Sequence, residues 1–216
     1  MSRPVVFGVR RSVYVRIARL ALEEKGVAYD LDEVDVFAPG GPPSAYLERH
    51  PFGKMPAFEH DRFKLYESGA ITRYVDEAFP GPALQPADAK ARGRVNQIIS
   101  LLDSYAYRTM VWDVMIERLR AREMYGRDPD EARIAAALAR AETCCRALVE
   151  LMGKGPWLAG STPTLADLHA APIYAYFRRT GEGAAMLTRH SALQRWWDAI
   201  NARPSMVATR FPVEQA

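Results

Sequence analysis

Two kinds of apolar pattern run along the chain, and they change over near residue 80. The run "PVVFG" at 4–8 is short and β-branched, as a buried strand is. In "SVYVRIARLALEEKG" (12–26), Val13, Ile17, Leu20, Ala21 and Glu24 fall at helical spacing, and Gly26 supplies a C-terminal stop. On that helix Glu24 reads as a surface acid, and Arg16 as a surface or interface residue. "AYDLDEVDV" (28–36) alternates as a strand, "FAPGGPP" (37–43) breaks the chain, and "SAYLERH" (44–50) allows a short helix. "PAFEH" and "FKLYE" read as strands joined by a polar turn, and "SGAITRYVDEAF" (68–79) as a closing helix.

The predicted order is βαβαββα, a parallel pair joined by a helix and then a hairpin, which suggests an α/β thioredoxin-like domain over 1–80. Pro80, Gly81, Pro82 and Pro86 punctuate the chain in "FPGPALQP", with a linker at 81–86. An all-α domain is expected over 87–216, with long amphipathic patterns at 87–122 and 129–152 and shorter helices at 164–179 and 191–202. In "STPTLADLH", Thr164 and Asp167 read as an N-capping box that serves folding.

Composition narrows the classes without selecting one. The chain has 216 residues, 49% of them hydrophobic, so it can bury a substantial core. Its 29 basic and 26 acidic residues are interspersed and leave a net charge of +3, too little to argue for a nucleic-acid partner. No apolar run is long enough to span a bilayer, and "MSRPVVFGVRRS" has no apolar leader core, so a cytoplasmic protein is expected. The two cysteines, Cys144 and Cys145, are adjacent and fit neither a disulfide framework nor a zinc site. No metal and no tightly bound cofactor are expected, and His50, His60 and His190 show no ligand spacing.

The stretch "GKMPAFEHDRFKLYESGAITRY" (53–74) carries the chemistry. Pro56 enters a strand. A cis bond after Met55 would turn the Met55 N–H and C=O out of the sheet toward an extended peptide, whereas a trans proline would only blunt the strand end. Ser68 reads as an N-cap, and a helix start suits a carboxylate. Glu67 beside it suits an ammonium, so together they fit an amino-acid head group.

"HPFGKMPAFEHDRFKLYESGAITRYV" resembles the pattern "NPFG-[QK]-x-PA … ESxAITRYI" of the cytosolic glutathione transferases. "SVYVRIARLALEEKGVAYDLDEVDV" is similar to that family's first helix and second strand, and "LAGSTPTLADLHAAPIY" to the start of its sixth helix. The nearest resemblance is to a bacterial theta/phi-like branch of serine type. It implies a cis Pro56, the Met55 backbone pairing with the cysteinyl residue of glutathione, Glu67 on the γ-glutamyl ammonium and Ser68 on its carboxylate. Lys54 is then placed to reach a glutathione carboxylate. The chain departs from phi-like members in having no basic residue between Asp35 and Arg49, which leaves the glycyl end without its usual partner.

The resemblance places the sulfur by the loop "GVRRSVY" (8–14). A thiol of pKa about 8.5 is only about 3% ionised at pH 7. Lowering that value by about two units takes roughly 2.7 kcal/mol. Ser12, donating to the sulfur at a helix start, is the expected source, with Arg10 and Arg11 adding positive potential. Tyr14 is the alternative donor and otherwise packs between domains, and an ordinary N-cap is the alternative role for Ser12.

An electrophile pocket is expected from Tyr14 with Tyr107, Met110, Val111 and Met115 in "YAYRTMVWDVM", unless that stripe is plain core. Asp103 is either a solvated acid or, as in related classes, a residue reaching a partner subunit's site. The implied protein is a homodimeric, detoxifying transferase, with Thr72, Arg73 and Tyr74 contributing to the dimer and glutathione as co-substrate. The implied reaction adds glutathione to small hydrophobic electrophiles, with peroxide reduction on the same thiolate. The alternatives are a non-catalytic binding or assembly module and a thiol–disulfide oxidoreductase, the latter opposed by the lack of any cysteine before residue 144.

Overall fold

The computed structural model of the chain describes residues 2–211. By contact density it divides into two units, one of residues up to Gln85 together with those from Arg203 on, the other Pro86–Ala202.

The first unit runs β1 (Val5–Phe7), α1 (Val13–Lys25), β2 (Asp30–Asp32), α2 (Ser44–Leu47), β3 (Ala57–His60), β4 (Phe63–Tyr66) and α3 (Ser68–Ala78). This is the predicted βαβαββα order, with β2 shorter than its alternating pattern. The sheet order is β2-β1-β3-β4. β1 lies parallel to β2 and antiparallel to β3, and β3 is antiparallel to β4. Helix α1 buries Val13, Val15, Ile17, Leu20 and Leu22, and ends at Gly26 in the left-handed region at φ 68°. Lys25, though charged, is buried and donates to the Asp76 carboxylate at 3.2 Å and to the carbonyls of Asp76 and Pro82 at 3.0 Å, tying α1 to α3.

A short helix, α10 (Pro204–Ala208), completes this unit against α1. Residues 203–211 therefore leave the helical domain to which the sequence assigns 87–216. Two charged residues of α1 explain why. Arg16 is 1% exposed and donates to Thr209 Oγ1 at 3.2 Å and the Met206 carbonyl at 3.1 Å. Glu24 accepts from Arg203 at 2.5 Å and from the Ser205 hydroxyl. Neither is the surface residue that its charge suggests.

The second unit begins with α4 (Ala89–Leu101), continues as a π-helical stretch (Leu102–Ile116) and ends its first run with α5 (Glu117–Tyr125). Helices α6 (Glu131–Met152) and α7 (Leu165–Phe177) pack on the π-helical stretch, followed by α8 (Gly181–Arg189) and α9 (Ser191–Asn201). Buried Glu117 accepts from Arg133 at 3.2 Å and from the Asp130 N–H at 2.8 Å, which fixes the entry to α6. The Thr164–Asp167 box forms, and the buried Asp167 also accepts from the Leu158 N–H at 2.9 Å and Trp196 Nε1 at 2.8 Å. The fold is thus a thioredoxin-like sheet domain followed by helices. No helix among the described residues is long and apolar enough to cross a membrane.

Candidate active site

Strand register collects the predicted residues at one end of the sheet. Phe7 pairs with Ala57, and Ala57 pairs with Tyr66, so the three lie in one row. The chain leaves β1 after Phe7 toward Ser12, reaches β3 through Met55 and Pro56, and leaves β4 directly into Glu67 and Ser68. An antiparallel hairpin beside β1 brings these separated segments to a common edge. No local pattern encodes that placement.

Gly8 brings them close. Its φ of 136° suits only glycine, and a Cβ there would lie 2.6 Å from Val15 Cγ2 and 3.0 Å from Met55 Cβ. The Gly8 N–H reaches the Asp32 carbonyl at 3.0 Å, which keeps the loop against β2. Ser12 then caps α1 with φ −74° and ψ 129°, its Oγ accepting from the Val15 N–H at 3.4 Å. The two readings of Ser12 are compatible, because a hydroxyl that accepts from its own helix keeps its proton to donate. Arg10 and Arg11 pair with Glu33 at 2.7 Å and Asp35 at 2.5 Å, so the positive potential expected of them is largely neutralised.

The Met55–Pro56 bond is cis, and Pro56 is buried while Met55 is half-buried. Lys54 is exposed. Beneath them Tyr46, on α2, packs with Phe7 and Ala57 and donates its hydroxyl to the Lys54 carbonyl at 2.6 Å. Burial pushes the Tyr46 phenol up to about 12, against the Ala57 N–H, which acts in the opposite direction. His50 is buried against Tyr66, with ring centroids 4.9 Å apart, and its Nδ1 makes no hydrogen bond among the described residues. Burial pushes the His50 imidazole below its ordinary value; Glu67 works against that fall and Lys54 adds to it.

Glu67 holds φ 68° and ψ 114°, a region that residues with a Cβ rarely occupy. It, and not Ser68, is the N-cap of α3, and its side chain makes no capping bond. Ser68 is the first helical residue and is buried. Its N–H and that of Gly69 come before the first intrahelical donors, Ala70 and Ile71, both of which bond the Glu67 carbonyl at 3.0 Å. Arg49 does not supply the missing cation for a glycyl end. It bonds Glu59 at 3.3 Å and the Ala45 carbonyl at 3.2 Å, and stacks over the Phe7 ring at 4.6 Å.

Tyr14, the second residue of α1, is half-buried. Met110, Val111 and Met115 are buried in the π-helical stretch, where half-buried Tyr107 accepts from Trp112 Nε1 at 3.0 Å. Asp103 is exposed on that stretch; Thr72 is buried and Arg73 and Tyr74 half-buried on α3. Cys144 and Cys145 are buried in α6, and burial pushes the Cys145 thiol up to about 12. Among the described residues no group of three or more His, Cys, Asp or Glu is arranged to hold a metal ion. Sequence reasoning gave no part to Gly8, Tyr46 or His50. The buried tyrosine and histidine just upstream of "PFGKMPA" were the available signal.

The fold defines a class: a thioredoxin-like sheet domain followed by an all-helical unit. Residues 6–83 match the N-terminal domain of glutathione S-transferases and residues 104–204 their C-terminal domain. Glutathione S-transferase F9 of Arabidopsis thaliana is 30% identical over 194 residues, which cover 89% of each chain. Glutathione S-transferase F13 of the same plant is 28% identical over 94% of this chain and 92% of its own. The crystal structure of glutathione transferase F7 from Populus trichocarpa superposes with a TM-score of 0.84 at 25% identity, covering 95% of this chain and 97% of that one. The chain belongs to the glutathione S-transferase family.

Proposed function

We propose that the protein is a serine-type glutathione transferase of the theta/phi-like branch, adding glutathione to small hydrophobic electrophiles. The observation that supports this is the strand register: the loop to Ser12, the cis Met55–Pro56 segment and the Glu67–Ser68 helix start all adjoin the Phe7, Ala57 and Tyr66 row at one end of the sheet. In this reading Met55 pairs with the cysteinyl main chain, Glu67 takes the γ-glutamyl ammonium and the first N–H groups of α3 take its carboxylate, with the Ser68 hydroxyl assisting. Exposed Lys54 reaches a glutathione carboxylate as a point charge. Ser12 donates to the sulfur, and the N-terminus of α1 adds partial positive charge.

The thiol proton passes to solvent and the thiolate attacks the electrophilic carbon. A leaving group departs with its electron pair, or a conjugated double bond takes up a proton. Peroxide reduction uses the same thiolate and consumes a second glutathione to form the disulfide. In the first unit half-buried Tyr14 is proposed to face the electrophile; in the second, Met110, Val111 and Met115 are buried, which favours the plain-core reading of that stripe and leaves half-buried Tyr107 as its proposed electrophile-facing residue. The intact edge speaks against a purely structural module, and the two buried cysteines speak against disulfide exchange. A cytoplasmic homodimer is part of the proposal; Phe52, 69% exposed beside Tyr66, is an apolar face that pairing would cover.

The test is calorimetric titration with glutathione followed by a panel of electrophiles. Thiolate absorbance of the complex across pH should give a depressed thiol pKa, and Ser12→Ala should raise it by about one to two units. The activity profile then moves to higher pH. An unchanged pKa in Ser12→Ala transfers the donor role to Tyr14 or to main-chain N–H groups.

A further inference from the structure

Met55 has one main-chain donor to offer a ligand, because Pro56 after it has no N–H. Which way that donor points is decided one residue earlier. The Lys54–Met55 peptide is planar, and the cis bond lies after it, between Met55 and Pro56. In a planar trans peptide the C=O and the following N–H point in opposite directions. Whatever fixes the Lys54 carbonyl therefore fixes the Met55 N–H.

The Tyr46 hydroxyl does so from below, at 2.6 Å. Its own ring has little freedom: Tyr46 is 3% exposed and packs with Phe7 and Ala57, the residues that pair across β1 and β3. The Tyr46 carbonyl in turn accepts from the His50 N–H at 3.0 Å, which ties α2 to the loop leading to Lys54. The phenol thus transmits the position of the sheet to a peptide plane beyond the end of β3. We infer that Tyr46 is a positioning residue for the thiol substrate, holding the Lys54 carbonyl inward so that the Met55 N–H faces the cysteinyl carbonyl of glutathione. This rests on the glutathione-binding reading of residues 53–68. Tyr46 touches no substrate; it acts through the peptide plane.

Tyr46→Phe keeps the ring and its packing and removes only the donor. Tyr29→Phe is the control, since the Tyr29 hydroxyl also bonds partners within the first unit, Arg19 at 2.9 Å and Glu23 at 3.0 Å, away from Lys54. Three readouts are taken on the full chain: glutathione affinity by calorimetry, kcat at saturating glutathione, and hydrogen exchange over residues 53–58. Tyr46→Phe should weaken glutathione binding and raise its KM about five- to tenfold, the loss expected for one hydrogen bond. It should leave kcat at saturation within about twofold, and exchange over 53–58 should quicken. Tyr29→Phe should do none of these.

Unchanged affinity in Tyr46→Phe, or equal weakening in both variants, overturns the assignment. So does loss of the native circular-dichroism signal in Tyr46→Phe, which would make Tyr46 a folding residue. If the unaltered protein fails to bind glutathione, the reading of the site falls. The exchange of residues 53–58 then still reports whether Tyr46 orders that peptide.

Discussion

Glu67 holds a backbone conformation that a residue with a Cβ rarely takes. Its left-handed φ costs about 1–3 kcal/mol in a residue with a Cβ, and its carboxylate makes no cap in return. Glycine would adopt the same backbone freely. Glu67→Gly should therefore be more stable than Glu67→Ala in thermal unfolding, while both bind glutathione tenfold or more weakly, as the loss of a charged hydrogen bond implies. Equal stability of the two variants would show that the backbone at 67 is unstrained. Full retention of binding would remove Glu67 from the site. Gly8 illustrates the opposite economy, since the missing side chain lets Val15 and Met55 approach.

Elements that keep one period were the ones the sequence disclosed. Helices α6, α7 and α9 begin and end within a few residues of their stripes, and the hairpin of β3 and β4 follows its polar turn. The pattern over Leu102–Ile116 predicts an ordinary amphipathic helix. The stretch is π-helical, with a wider turn, and the apolar pattern gives no sign of this, because Met110, Val111, Val114 and Met115 recur at ordinary helical spacing. Helix α8 escaped notice because it opens with Gly181 and Gly183, poor helix formers. It forms because the Thr180 hydroxyl accepts from the Gly183 N–H at 3.0 Å, and because Gly183 fits where a Cβ would meet the Phe177 carbonyl. The capping box at Thr164 was legible, but the reach of Asp167 to Trp196 was not, since that partner lies 29 residues on. Asp167→Ala leaves buried N–H groups of Leu158, Thr164 and Trp196 without an acceptor. It should lower unfolding free energy by more than about 3 kcal/mol in denaturant titration. A loss below about 1 kcal/mol would mean that the box is dispensable.

At the scale of the whole molecule, the least legible feature is that the chain returns to its first unit after Ala202. Hydropathy assigns Glu24 to solvent and leaves Arg16 between surface and interface, and only partners nearly the full chain length away, 193 residues for Arg16 and Thr209, decide their places. Burial pushes the Glu24 carboxyl up, but the bonds from Arg203 and Ser205 outweigh it and hold it below the usual carboxylate value. A depressed acid stabilises the fold above its unfolded pKa of about 4.3, and that contribution is lost as pH falls through the folded value. Glu24→Gln should cost about 2 kcal/mol at pH 7, with the difference from the unaltered chain shrinking below about pH 4. Thermal unfolding across pH checks this, and a constant difference at all pH values would dissociate the effect from the carboxylate.

Arg16 carries a consequence for biosynthesis. A ribosome delivers residue 16 long before residues 206 and 209, so the guanidinium has to wait, solvated or in provisional company, while the intervening chain emerges. The amino-terminal unit therefore reaches its final form only after translation has passed Thr209. A nascent chain halted at Ala202 should hold a sheet domain that proteases cut readily, even though its last strand left the exit tunnel long before.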